Sequence, residues 1–138
     1  NKLRPDALEH SGLREALEKM IEETMQVSDV KIDYECQVDT LKFNQDEEDM
    51  IYRVVQESIT NAIRHGEAKY IEVRLWKENK WLNLVIKDNG IGCEEIHTGF
   101  GLIHIEERIK MLQGTVEYDG SDGFKVTARI PIRWGEKR

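Results

Sequence analysis

Glu57, Asn61 and His65 recur at intervals of four within QESITNAIRHG, Gln56 to Gly66, and Arg64 stands beside the last of them. On a helix that spacing stacks the three side chains along one edge. A carboxylate and a carboxamide one turn apart suit a hard cation such as Mg²⁺, which takes oxygen ligands and keeps part of its water. The same carboxylate could instead act as a general base toward a nucleophile. Arg64 and His65 could meet phosphate oxygens. A solvated polar helix edge has the same composition, so the stripe alone does not choose between these roles.

Two glycine-rich stretches follow. DNGIG, Asp88 to Gly92, comes directly after an alternating strand pattern. Gly90 and Gly92 allow a ligand close to the main chain, and Asp88 can accept hydrogen bonds from an exocyclic amine such as that of adenine. A plain Asn-Gly turn would read the same way. GFGL, Gly99 to Leu102, opens a helical pattern. Glycines ahead of a helix expose free N–H groups where the dipole favours anions, although a flexible joint has the same residues. Only CEEIHT separates Gly92 from Gly99, so a lid built there is short. The chain has no P-loop, no H-R-D or D-F-G set and no complete dinucleotide fingerprint. Cys93, His97 and His104 match no standard zinc spacing. None of the four histidines has a phosphoacceptor-like context, and His10 is expected in a loop.

The elements that must position these residues read from periodicity. Ser11 is expected to cap a helix carrying Leu13, Ala16, Leu17, Met20 and Ile21. Val30, Ile32, Tyr34 and Cys36 alternate as a half-buried strand. Asn44 is the expected N-cap of the next helix, whose first turn holds Asp46, Glu47, Glu48 and Asp49. That helix runs to His65, with Gly66 as its left-handed stop. Ile71, Val73 and Leu75, then Leu82, Leu84 and Ile86, predict a hairpin turning at KENK. A helix with Leu102, Ile105, Ile109 and Leu112 ends at Gly114, and two strands close the chain. Trp76, Trp81 and Trp134 read as packing residues on or beside strands. The mixture predicts an α+β two-layer sandwich, with a mixed, mostly antiparallel sheet and helices on one face.

The totals narrow the function. The chain has 138 residues and a formal charge of −7, which fits one domain and argues against a nucleic-acid surface. Two cysteines make no disulfide framework, so a reducing cytoplasm fits best. No apolar run could span a bilayer and no signal-peptide pattern opens the chain. The first residue is Asn1 rather than Met, as expected of a piece of a longer protein.

In order and spacing, ESITNAIRHG, DNGIG and GFGL followed by EERI closely resemble the N box and the two glycine boxes of the GHKL ATPases, which include gyrase B and MutL. The short lid, the run GLIHIEERIKMLQG and the opening LRPDALEHSGL are most similar to bacterial sensor histidine kinases of the nitrate-sensor and lipid-fluidity-sensor branch. The resemblance covers Leu3 to Ile132. It implies a Bergerat fold, ATP and Mg²⁺. Asn61 matches the metal ligand and Glu57 the acidic catalytic residue. Arg64 and His65 match positions near the phosphates, and Asp88 the carboxylate that reads the adenine amino group. Gly90, Gly92, Gly99 and Gly101, with Leu102, match the pocket and lid. Residues 1–11 would be a tether from a dimerisation and phosphoacceptor domain, and 12–138 the catalytic domain. The resemblance also implies a response regulator as partner, a homodimeric full-length protein and a cytoplasmic domain anchored in the cell membrane. The alternatives are a stand-alone serine kinase of the anti-sigma type and a nucleotide-binding module without catalysis. One departure stands out: Gly123-Phe124 replaces the family's Gly-Thr pair, and Thr127, on the opposite strand face from Phe124, does not substitute for it.

Overall fold

Strand alternation sets the architecture. In this computed structural model, which describes residues 5–39, 43–92 and 102–133, every strand with a clear period of two turns its apolar residues to one side. The elements are α1 (Asp6–Ser11), α2 (Leu13–Val27), β1 (Lys31–Gln37), α3 (Gln45–Arg64), β2 (Tyr70–Glu78), β3 (Trp81–Asp88), α4 (Leu102–Met111), β4 (Thr115–Asp119) and β5 (Phe124–Pro131). Among the described residues the strands form one sheet in the order β1-β2-β3-β5-β4. Only β1 and β2 are parallel; the other pairs are antiparallel.

The core lies between this sheet and the helices. Val73, Ile86 and Val126 are register partners across three strands, as are Leu75, Leu84 and Ala128, and all six are buried. Against them pack Leu17 of α2, Ile51, Val55 and Ile59 of α3, and Ile105 and Ile109 of α4. Asp88 follows Ile86 by two residues on β3, so the same alternation that buries Ile86 turns Asp88 to the helix side. On the opposite face Trp76 and Trp81 are half-buried, and the Arg129 guanidinium lies 4.7 Å from the Trp81 ring centre. Trp134 lies outside the described residues.

Four local expectations are corrected. Ser11 does not cap α2: it ends α1, and Gly12, at φ 85°, occupies the N-cap position. His10 lies in the last turn of α1 rather than in a loop. That short helix places Leu8 in the core at 3% exposure, so residues 6–11 pack onto the sandwich. KENK is not all turn, because Lys77 and Glu78 extend β2 and only Asn79 and Lys80 connect the strands. Gly66 is not left-handed; Glu67 is, at φ 52°. The chain closes α3 with the N–H groups of His65 and Gly66 both donating to Asn61 O, and the reversal of hand comes one residue later.

Asn44 begins α3 as expected. Its Oδ1 accepts from Glu47 N at 2.8 Å, while Asn44 N donates to Glu47 Oε1 at 2.8 Å, a reciprocal cap. Asn44→Ala is expected to lower stability by about 1 kcal/mol, with Asn44→Ser closer to wild type. Urea unfolding of the three proteins checks the ranking.

Candidate functional site

The site forms where the C-terminal turns of α3 meet the end of β3, the loop after it and the start of α4. Glu57, Asn61 and His65 are on α3 or its cap because the helix continues through them with its apolar face, Val54, Val55, Ile59 and Ala62, buried beside them. The loop is pinned from two sides. Asn89 Oδ1 accepts from Lys69 N and Tyr70 N, both at 2.9 Å, and Ile91 N donates to Gly66 O at 2.8 Å. Gly90 makes that contact possible, since a Cβ there would overlap the Gly66 carbonyl.

An open-mouthed cavity results. Its lining includes Asn61, His65, Asp88, Gly92, Leu102 and Phe124, with Ala62 and Gly66. That lining is largely apolar with a few convergent polar groups, the usual character of a small-molecule site. Asp88 is 6% exposed. Its Oδ1 accepts from Gly90 N at 2.7 Å and Phe124 N at 3.2 Å, while Oδ2 has no partner among the described residues. Burial pushes the Asp88 carboxyl above its ordinary range, opposed by those two N–H donors. Asn61 presents a second unmet group: its side-chain Nδ2 is buried and has no hydrogen-bond partner. A ligand carrying both a donor for Asp88 and polar oxygens for Asn61 would satisfy both.

The other expected residues are distributed around this cavity. Glu57 does not line it. It lies one turn earlier on α3, with Oε1 2.5 Å from Arg108 Nη1 and 3.6 Å from His104 Nδ1. Arg64 is exposed and lines a different groove, with Met20, Thr24 and Val27 of α2. Leu102, 2% exposed, closes the cavity from α4. Gly99, Gly101, Cys93 and His97 lie outside the described residues.

Two residues enter the site that spacing along one element does not reveal. Phe124 lines the cavity because β5 pairs it with Asp88, and the ring of Tyr118 stacks behind it at 5.9 Å. Arg108 reaches Glu57 across 51 residues of sequence. The antiparallel pairing of the last strands signals the first; no local pattern signals the second.

The residues present fit magnesium better than a metal held by protein alone. Among the described residues no group of three or more His, Cys, Asp or Glu could hold an ion. Asn61, which lines the cavity, could offer its carboxamide oxygen as a single protein ligand of the kind that Mg²⁺ completes with phosphates and water.

The family model of histidine kinase-, DNA gyrase B-, and HSP90-like ATPases matches residues 46–133. The chain belongs to this ATPase family. An uncharacterized sensor-like histidine kinase of Chloroflexus aurantiacus is 33% identical over 94% of the chain and 24% of its own length. The oxygen sensor histidine kinase NreB of Staphylococcus carnosus is 29% identical, over 94% of the chain and 39% of its own length. The chain thus spans between a quarter and two-fifths of these relatives. The histidine kinase domain of the blue-light activated kinase of Erythrobacter litoralis superposes with a TM-score of 0.72 at 19% identity, over 87% of this chain and 61% of that one, and so shares the fold. The predicted α+β sandwich is the fold of this ATPase family; QESITNAIRHG falls on α3 and its end, and DNGIG on the end of β3 and the loop after it.

Asp88 generates a prediction for the pH dependence of stability. Because the folded carboxyl titrates above its unfolded value, its contribution is complete below the unfolded pKa and is lost as pH rises through the folded one. Asp88→Asn keeps the acceptor for Gly90 and Phe124 without that loss. The stability of the variant relative to wild type is therefore expected to improve as pH rises from about 4 to about 7. Unfolding curves across that range check it, and a constant difference would show that Asp88 ionises freely in the fold.

Proposed function

We propose that this chain is the ATP-binding catalytic domain of a two-component sensor histidine kinase. The observation that carries the reading is the convergence on one cavity of Asp88, whose Oδ2 accepts from no described residue, and of the Asn61 side chain, whose Nδ2 is buried and unpaired among the described residues, in a member of this ATPase family. Asp88 Oδ2 would accept the adenine amino group, with Phe124 as an apolar wall. Asn61 would hold Mg²⁺, and His65 would lie toward the phosphates, with Gly90, Gly92, Gly99 and Gly101 shaping the pocket and lid. Bound magnesium would offset the negative charge of the phosphates. The acceptor nitrogen of a histidine on a separate helical domain would attack the γ-phosphorus. The bond to the β–γ bridging oxygen breaks, and ADP departs with that electron pair. Glu57 would accept or orient the proton of the attacking imidazole. Such transfer depends on positioning and charge compensation more than on covalent chemistry.

Residues 1–11 would lead in from the dimerisation domain of the same protein, and a response regulator would receive the phosphoryl group next. The full-length protein would be a membrane-anchored homodimer. Among the described residues no helix is long and apolar enough to cross a membrane, so an anchor would belong to other segments.

Titration with ATP in the presence and absence of Mg²⁺ tests the reading, followed by mixing with the phosphoacceptor domain and assay for acid-labile phosphohistidine. Wild type is expected to bind with magnesium dependence and to transfer. Asn61→Ala is expected to weaken Mg·ATP by about tenfold or more, the equivalent of about 1.4 kcal/mol, with a much smaller change in metal-free binding. Binding without transfer would support the non-catalytic module; no magnesium-dependent binding at all would sink the kinase reading.

A further inference from the structure

Glu57, the carboxylate one turn from Asn61, is held by α4. Its Oε1 faces Arg108 at 2.5 Å, and His104, one turn earlier on α4, stands 3.6 Å from the same oxygen. The Glu57 and Arg108 side chains are only 24% and 30% exposed, so solvent and salt screen the pair less than a surface pair. Oε2 of Glu57 has no partner among the described residues. A guanidinium is planar and donates in a fixed fork, so it sets the orientation of the carboxylate it meets as well as its charge.

The same helix touches the cavity. α4 starts at Leu102, which lines the pocket and is buried. Leu102 O accepts from Tyr118 Oη at 3.4 Å, and Tyr118 stacks on Phe124, the residue paired with Asp88. One short helix therefore lines the pocket at its first residue and holds the Glu57 carboxylate from its last turn. Ile105 and Ile109, both buried, seat it as a rigid bar.

We propose that Arg108 is a positioning residue for phosphoryl transfer: it engages Oε1 of Glu57, leaves Oε2 as the oxygen presented to the reacting groups, and ties the aim of that oxygen to the seating of α4 on the nucleotide. The proposal rests on the kinase reading above. It predicts that disturbing Arg108 affects the chemical step and leaves nucleotide binding nearly intact, because Arg108 does not line the cavity.

The test uses this chain with the phosphoacceptor domain supplied in trans, and reads ATP affinity and the single-turnover transfer rate at saturating Mg·ATP. Arg108→Gln is expected to slow transfer by about tenfold or more while affinity stays within about threefold. Arg108→Lys, which keeps the charge and loses the fork, should fall between. The reversed pair Glu57→Arg with Arg108→Glu should recover the melting temperature lost by either single change, yet not the rate. The carboxyl-carbon NMR signal of Glu57 should shift when Mg·ATP is added to wild type and stay in place in Arg108→Gln. An unchanged rate in Arg108→Gln, or a rate and affinity that fall together, would reduce Arg108 to a brace between helices and overturn the proposal. If wild type itself neither binds nor transfers, the kinase reading fails instead, so the two failures are distinct.

Discussion

The hydrogen bond from Ile91 N–H to the carbonyl of Gly66 joins the end of α3 to the loop after β3, and the cavity exists because of it. Backbone can approach backbone this closely because Gly90 carries no side chain in between: a methyl group there would overlap the Gly66 carbonyl. Once the two segments are joined, Asn61 and His65 on one side and Asp88 and Gly92 on the other face a common space. Asn89 fixes the loop from its other flank by accepting from Lys69 and Tyr70. The remaining walls, Leu102 and Phe124, come from elements seated by the core itself.

That arrangement is electrostatically costly where function is concentrated. Asp88 is buried and satisfied at one oxygen only, and the Asn61 amide is buried and unmet. Unpaired buried polar groups generally cost on the order of 1–3 kcal/mol each. Asn83 Nδ2 on β3 is unpaired in the same way outside the cavity, so the Asn61 amide is set apart by its place beside Asp88 in the pocket, while Glu57 one turn away is ion-paired and fixed in direction.

Much of this was legible in residue order. Alternation located β1, β2, β3, β4 and β5, and the reciprocal cap at Asn44 and Glu47 started α3 where composition suggested. Local rules failed where a tertiary contact decided the outcome. Gly66 looked like a left-handed stop, but a Cβ there would press on the Ala62 carbonyl of the preceding turn, and Glu67 takes the left-handed conformation. Ser11 looked like a cap because α1 was invisible as a separate helix: it is six residues long and is held by burial of Leu8, not by a strong local signal. The Glu57–Arg108 contact depends on how α4 lies against α3, which no spacing within either helix encodes. Phe124 stood out as an unusual residue, but its place opposite Asp88 required the β3–β5 register.

The single parallel pairing in the sheet bears on the order in which the chain assembles. β2 and β3 join through a two-residue connection, and β4 and β5 are likewise neighbours in sequence, so their contacts close small loops. β1 can reach β2 only after the chain has passed through all of α3. Loop closure over that distance costs more conformational entropy than a hairpin does. β3 and β5 likewise pair only after the chain has passed through α4 and β4, so two seams of the sheet are long-range, and the pocket, with Asp88 opposite Phe124, is completed only when the second of them closes.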